Sequence, residues 1–135
     1  YVVHDAVVQA GIADRLPDLY PRWTQFLEAG YDTIGECWGW GTHVHGWSCT
    51  PTRDMVFYTL GVMPAEPGYT KVHVEPHLGR LSWAKGVVPS PYGLISVEVT
   101  AEVIILTSPV PARVDFAGQS LELPAGHHKV FAYQK

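Results

Sequence analysis

The sequence predicts an α+β fold, with helices in residues 1–63 followed by an antiparallel β-sandwich in residues 64–135. Apolar residues recur at helical spacing in the first part, whereas they alternate with polar residues after residue 69. Turn residues in the second part recur at intervals of roughly eight to twelve positions, which is typical of the short strands of a sandwich. The segment 64–68, PAEPG, reads as a linker between the two parts.

The first predicted helix carries an apolar stripe at positions i, i+3, i+4 and i+7, formed by Val3, Ala6, Val7 and Ala10. Gly11 is a plausible stop for this helix. A second helix is predicted from a longer stripe, formed by Leu16, Leu19, Tyr20, Trp23, Phe26 and Leu27. We expect Asp14 to cap its start and Gly30 to end it. Pro21 predicts a kink or a break within it.

A third helix is predicted to begin near Thr50, a good N-cap, with Pro51 at the first helical position, and to end at Gly61. Three helices cannot bury such wide apolar stripes by themselves. We therefore expect further helices, or another copy of this chain, to cover them. The chain starts at Tyr1 without methionine, and we expect its beginning to be truncated, which leaves the localisation open.

Seven strands are predicted after the linker, at 70–75, 81–88, 94–100, 102–107, 113–116, 120–123 and 129–133. The alternation is clearest in 94–100, where Ile95, Val97 and Val99 should face inward. In 70–75, Val72 and Val74 share one face.

Composition and motifs argue against several classes of function. The net charge is a mild −4 and no lysine or arginine cluster exists, so nucleic acid is not an expected partner. No apolar run approaches the roughly 20 residues of a membrane span, so no membrane partner is expected. Neither a glycine-rich nucleotide loop nor a serine-hydrolase elbow appears, and we predict no cofactor. Cys37 and Cys49 could pair and close the loop between them.

The segment 33–47, TIGECWGWGTHVHGW, combines residue types that suit a sugar site. It holds one carboxylate, two imidazoles and three indoles: Glu36, His43, His45, Trp38, Trp40 and Trp47. Indole faces bury the apolar face of a pyranose, while carboxylate and imidazole groups hydrogen-bond its hydroxyls. The glycines between them predict an ordered, tight loop.

Simpler interpretations of the same residues stay open. Glu36 could be a solvent-facing loop glutamate, and His45 a packed histidine. Glu36 with His43 and His45 could also bind zinc, since alternate residues of an extended segment share a side, although we predict no metal. The three tryptophans of the loop could be core residues. Trp23 and Trp83 lie on periodic faces, and we interpret them as structural.

The order of several short motifs resembles one known family. The motifs are a loop with Glu36 and Trp38, His45-Gly46-Trp47-Ser48, Pro51, Leu60-Gly61-Val62, Pro64, Glu66-Pro67-Gly68, Pro76, Gly79 and Leu81. This order is similar to the C-terminal part of bacterial α-L-rhamnosidases of glycoside hydrolase family seventy-eight, over nearly the whole chain. The resemblance implies that residues 1–63 are the last helices and active-site loop of an (α/α)6 barrel, followed by a C-terminal β-sandwich.

The resemblance also implies roles in the loop. Glu36 would be the general base that activates water for inverting hydrolysis of a terminal α-L-rhamnose, and His45 would line the sugar site with Trp47 nearby. The expected partners are a rhamnose-containing glycoside and either a second copy or the rest of the barrel. The general acid would lie in that remainder, so the chain alone should be inactive. The alternative is a free-standing carbohydrate-binding or self-associating module without turnover.

Overall fold

A computed structural model describes residues 2–39 and 41–132 of the chain. The helices are α1 (Val2–Gln9), α2 (Leu16–Leu19), α3 (Thr24–Glu28) and α4 (Thr50–Asp54). The strands are β1 (Val62–Pro64), β2 (Val72–Val74), β3 (Trp83–Ser90), β4 (Gly93–Thr100), β5 (Val103–Ser108), β6 (Ala112–Phe116), β7 (Gln119–Leu123) and β8 (Gly126–Phe131). Within these residues, every helix is too short or too polar to cross a bilayer.

The strands form two four-stranded sheets, in the orders β1-β2-β6-β7 and β3-β4-β5-β8. One apolar core lies between them and receives residues from both sheets. Ile95, Val97 and Val99 of β4 are completely buried, as their alternation predicts, and so are Val72 and Val74 of β2. The predicted β-sandwich is therefore present, and each of the seven predicted strands corresponds to one of β2 to β8.

Two features of the sheets differ from the prediction. The sandwich is not antiparallel throughout, because β2 and β6 pair in parallel, with Val72 opposite Ala112 and Val74 opposite Val114. The additional strand β1 pairs antiparallel with β2, and Val62 in it is fully buried. Local alternation reports which face of a strand is buried but not the direction of a distant partner, and a three-residue strand is too short to show a period.

Glycines end two helical segments as predicted, since Gly11 and Gly30 both adopt positive φ angles, of 71° and 81°. The predicted break at Pro21 is also present. Between α2 and α3 the chain tightens into a 3-10 turn over Tyr20–Trp23, because proline cannot donate the hydrogen bond that a continuous α-helix needs.

The predicted capping residues act differently. The Asp14 side chain does not cap a helix, and its Oδ1 instead accepts the Gly79 backbone N–H at 3.1 Å. Thr50 is the first residue of α4, and Cys49 stands at the N-cap. The buried Thr50 hydroxyl has no hydrogen-bond partner among the described residues. After α4 the helix widens into a π-turn over Met55–Thr59.

The predicted apolar stripe of α1 is not buried within this chain. Val3 is 66% exposed, whereas the polar His4 is only 3% exposed and is the buried residue of the helix. A stripe at helical spacing identifies an apolar face, but its burial requires a partner. The second stripe is partly covered: Leu16 and Phe26 are buried, but Leu27 is 66% exposed.

Candidate functional site

The loop after α3 is held by backbone contacts between its two halves. The Glu36 N–H donates to the Thr42 carbonyl at 2.9 Å, and the His45 N–H donates to the Ile34 carbonyl at 3.1 Å. Gly41, at a φ of 130°, lies against Glu36, since a Cβ at Gly41 would come within 2.6 Å of the Glu36 Cβ. This glycine therefore lets the two halves approach closely, and the loop is ordered and tight as predicted.

Glu36 is half-buried and fixed at both its backbone and its side chain. Its carbonyl oxygen accepts hydrogen bonds from the Trp47 indole N–H at 2.9 Å and the Ser48 hydroxyl at 3.1 Å. Its Oε2 accepts the Thr42 backbone N–H at 3.1 Å. A carboxylate that accepts a backbone N–H through one oxygen can take up a proton through the other.

His45 reaches Glu36 through Thr42. The Thr42 hydroxyl lies 2.6 Å from the His45 Nδ1 and 3.5 Å from the Glu36 Oε2. The imidazole of His45 also packs against the indole of Trp47, with ring centroids 4.4 Å apart. Carboxylate, hydroxyl, imidazole and indole therefore form one connected group.

Trp38 forms an aromatic cluster with residues of the helices. Its ring lies 4.7 Å from that of Trp23 in an edge-on arrangement and 6.0 Å from that of Phe26 in a stacked one. The Arg22 guanidinium lies 4.9 Å from the Trp38 ring centroid. Trp38 nevertheless remains 43% exposed, and Trp47 is 52% exposed.

Glu36, Trp38 and Trp47 line a cavity of about 460 Å³ between the loop and the helices, whereas His45 lies outside its lining. Its described lining is mostly apolar and consists of Val2, Val3, His4, Leu19, Arg22, Trp23, Phe26, Gly35, Glu36, Cys37, Trp38, Trp47 and Ser48. The volume is in the usual range for ligand pockets, about 300–1,000 Å³. Glu36, Trp38 and Trp47 are thus brought together in the lining of one cavity.

Other residues named from the sequence lie elsewhere. The His43 ring is exposed and packs 4.7 Å from that of Tyr31, outside this cavity. Trp40 lies outside the described residues. Trp23 has the structural role expected of it, since its indole donates to the Ser48 carbonyl at 2.8 Å. Trp83 does not pack into a core, because it is 62% exposed on β3.

The alternative zinc site of Glu36, His43 and His45 is not formed. Across residues 2–39 and 41–132, their ligand atoms do not gather around a common point, whereas those of His73, Glu75 and Asp115 do. Cys37 and Cys49 are both exposed, and the Cys49 thiol lies 3.5 Å from the His45 carbonyl oxygen.

A buried polar pair beside the cavity was not predicted from the sequence. The His4 Nδ1 lies 2.6 Å from Asp54 Oδ2, and both residues are buried. Asp54 also accepts from Arg53 at 2.8 Å. Fifty positions separate the two partners, so no local pattern joins them. The one sequence signal that could have indicated this pair was His4, a polar residue beside the apolar stripe of its helix.

Tyr20 packs beside this pair, with its ring 5.8 Å from that of His4. Its hydroxyl lies 2.9 Å from the Thr59 hydroxyl. Burial raises the pKa of Tyr20 to about 12, more than the hydrogen bond to Thr59 lowers it. The phenol therefore stays neutral and acts as a structural link between the helical segments.

Comparison with known proteins identifies the relatives of this chain. Residues 61–116 match the model of the bacterial alpha-L-rhamnosidase C-terminal domain. The chain is also 28% identical, over 149 aligned residues, to an alpha-L-rhamnosidase of Alteromonas sp. (strain LOR). The resemblance to the C-terminal part of bacterial α-L-rhamnosidases is confirmed. The alignment covers 95% of this chain but 16% of that relative, so the chain spans about a sixth of its length.

Solved structures of the same kind share the fold. An alpha-L-rhamnosidase from Dictyoglumus thermophilum superposes with a TM-score of 0.67 at 17% identity, over 82% of this chain and 17% of that one. The native enzyme from Aspergillus terreus gives a TM-score of 0.54 at 21% identity, over 58% and 10% of the two chains. At these identities the likeness concerns the fold of the shared segment.

Proposed function

We propose that this chain is the C-terminal segment of an inverting α-L-rhamnosidase-like glycoside hydrolase that releases terminal α-L-rhamnose. Glu36 is its general base, and Trp38, Trp47 and His45 form part of the sugar site. The helical segment would be the end of an (α/α)6 barrel whose other helices supply the general acid. The observation that carries the proposal is the position of Glu36, in the lining of one cavity with two exposed indoles.

The geometry around Glu36 suits the role of a base. A general base must hold its carboxylate in place beside a water molecule, and the Thr42 N–H fixes Oε2 by a hydrogen bond. Trp38 and Trp47, which line the same cavity, can cover the apolar face of a pyranose. His45, held by Thr42, can hydrogen-bond a sugar hydroxyl through its other ring nitrogen.

The same cavity explains why we expect the isolated chain to be inactive. Among the described residues that line it, Glu36 is the single carboxylic acid. Inverting hydrolysis needs a second carboxyl group, roughly 6.5–9.5 Å away, to protonate the leaving oxygen. The purified 135-residue chain should therefore release no measurable phenol from an aryl α-L-rhamnoside. Clear turnover by the chain alone would contradict this assignment of the acid to the missing part.

The role of Glu36 is tested in the complete enzyme that carries this segment. Glu36→Gln should reduce kcat by at least about 100-fold, the lower end of what a general base contributes. Glu28→Gln, at an exposed glutamate of α3, is the matched control and should leave kcat unchanged. Azide attacks without losing a proton, so it should restore part of the activity of Glu36→Ala. An active Glu36→Gln enzyme would refute the proposed role.

The exposed indoles also favour a second function, weak sugar binding without turnover. A calorimetric titration of the 135-residue chain with rhamnose separates the two functions. Saturable binding that Trp38→Ala abolishes, with no activity in any longer form of the protein, would support a binding module. Phe131→Ala, at a distant exposed aromatic residue, is the control.

A further inference from the structure

The outer face of the sheet β1-β2-β6-β7 carries a polar cluster at its parallel strand pair. Val72 and Val74 of β2 point into the core, so His73 between them points outward, and Glu75 follows on the same side. The parallel register places His73 beside Arg113 of β6. Continuing that register by two residues brings Glu75 beside Asp115.

Three ligand atoms meet at this point. His73 Nε2 lies 2.6 Å from Asp115 Oδ2 and 3.9 Å from Glu75 Oε2, and the three ligand atoms all lie within 4.8 Å of one another. Each of the three residues is half-buried, and all three line an open concavity of about 560 Å³. The site therefore has space for water molecules or an exogenous ligand beside the three side chains.

The donor set is one imidazole nitrogen and two carboxylates, which suits a borderline divalent cation such as Zn²⁺. Both carboxylates would bind the metal in their ionised form and His73 in its neutral form.

We propose that His73, Glu75 and Asp115 bind a zinc ion on the outer face of the sandwich. His73 Nε2, Glu75 Oε2 and Asp115 Oδ2 supply three of four positions, and water fills the fourth, as in open zinc sites. The metal takes the place of the hydrogen bond between His73 Nε2 and Asp115 Oδ2. Zn²⁺ bridges β2 and β6, so it also fixes the parallel strand pair.

Arg113 provides a sharp test of this proposal, because it competes with the metal for Asp115. Its Nε lies 3.0 Å from Asp115 Oδ2, and its side chain is 52% exposed. If the cluster is a metal site, removing the guanidinium should increase zinc affinity. If the cluster is only an ion-pair network, removing it creates no site.

The experiment is a calorimetric titration of the chelator-treated chain with Zn²⁺ alone. We expect one equivalent of zinc to bind the parent chain. Binding to His73→Ala and Asp115→Asn should be at least about 100-fold weaker. Losing a residue that only supports a metal ligand costs at most about that much affinity, and losing a ligand itself should cost no less. Arg113→Gln should bind zinc several-fold more tightly. His127→Ala, in the other sheet, is the matched histidine control and should bind like the parent.

Two results would overturn the proposal. One is the absence of stoichiometric zinc binding in both the parent chain and Arg113→Gln. The other is binding that His73→Ala leaves unchanged, which would locate the zinc elsewhere. Circular dichroism of each variant verifies folding, and Co²⁺ in place of Zn²⁺ should give a visible absorption spectrum that His73→Ala loses. These readouts are independent of rhamnosidase activity.

Discussion

The sandwich and the helical segment of this chain bury very different side chains. Ile104 and Leu106 of the sandwich are completely buried, in a core of aliphatic residues from both sheets. The helical segment instead leaves Val2, Val3 and Leu27 between 64% and 66% exposed. The sandwich therefore builds a core from both of its sheets, whereas the apolar stripe of α1 stays exposed within the described residues.

The forces that hold the two regions also differ. The contacts of α1 with the rest of the chain include polar pairs with α4 and the turn after it, in which His4 meets Asp54, and Asp5 meets Arg53 and Tyr58. Polar pairs depend on charge and geometry, while the sandwich core depends on the apolar area that it removes from water. Mutations in the two regions should therefore have separable effects on stability.

The largest expected effect is in the sandwich core. Ile104→Ala removes three carbon atoms from a fully buried position and leaves a cavity between the sheets, so it should lower the free energy of unfolding by about 2–5 kcal/mol. Urea unfolding followed by circular dichroism measures the change.

Leu27→Ala is the matched truncation in the helical segment. Leu27 is 66% exposed, so its loss should alter the free energy of unfolding by no more than about 0.5 kcal/mol. Equal losses of unfolding free energy in Ile104→Ala and Leu27→Ala would show that the difference in burial between the two positions does not affect stability.

The second effect concerns the junction between the regions. Gly61 has a φ of 79°, and a Cβ there would come within 2.2 Å of the Glu75 backbone. Gly61→Ala should therefore separate β1 from the segment after β2 and cost about 2–3 kcal/mol, since backbone atoms cannot move aside as a side chain can.

Gly68→Ala is the control for the junction. Gly68 has a similar φ of 69° but no atom within 4 Å of the position of a Cβ. Its substitution carries only the backbone penalty, about 1–2 kcal/mol. Urea unfolding of both variants should give the larger loss for Gly61→Ala. A loss no larger than that of Gly68→Ala would mean that the junction is not tightly packed.

The strands of the sandwich could be predicted from the sequence because the alternation that identifies each strand lies within a few consecutive residues. Alternation in β4 alone identifies Ile95, Val97 and Val99 as core residues, and the structure buries all three. The parallel pairing of β2 with β6 could not be predicted, because the two strands lie about forty positions apart and their direction is a property of the whole sheet. The same pairing creates the cluster around His73 and Asp115.

The candidate site was predicted where its residues are neighbours in the chain. Glu36, Trp38 and Trp47 are close in sequence and line the same cavity. His43 illustrates the limit of this reasoning, because the loop turns its ring toward Tyr31, and an i, i+2 spacing fixes a common side only in extended backbone. His4 and Asp54 meet through tertiary packing, which no spacing in the sequence reports.

The smallest expected effect tests whether polar pairs hold α1 against α4 and the turn after it. The hydrogen bond from Arg53 is the main cause of the lowered pKa of Asp5 in the folded chain. The unfolded chain therefore binds a proton at Asp5 more readily than the folded chain does. The stability from this group is fully present above about pH 4, where an unfolded aspartate is ionised, and is lost as the pH falls through the lower folded pKa.

Asp5→Asn removes this contribution. The side chain of Asp5 is 36% exposed, so the change should be within the about 0.2–1 kcal/mol typical of exposed ion pairs. Urea unfolding of the parent chain and Asp5→Asn should differ at pH 6, and the difference should shrink below pH 3. Asp32→Asn, at an exposed aspartate in the loop, should show no such difference. A gap between the parent and Asp5→Asn that is constant over this range would mean that the charge of Asp5 does not stabilise the docking of α1.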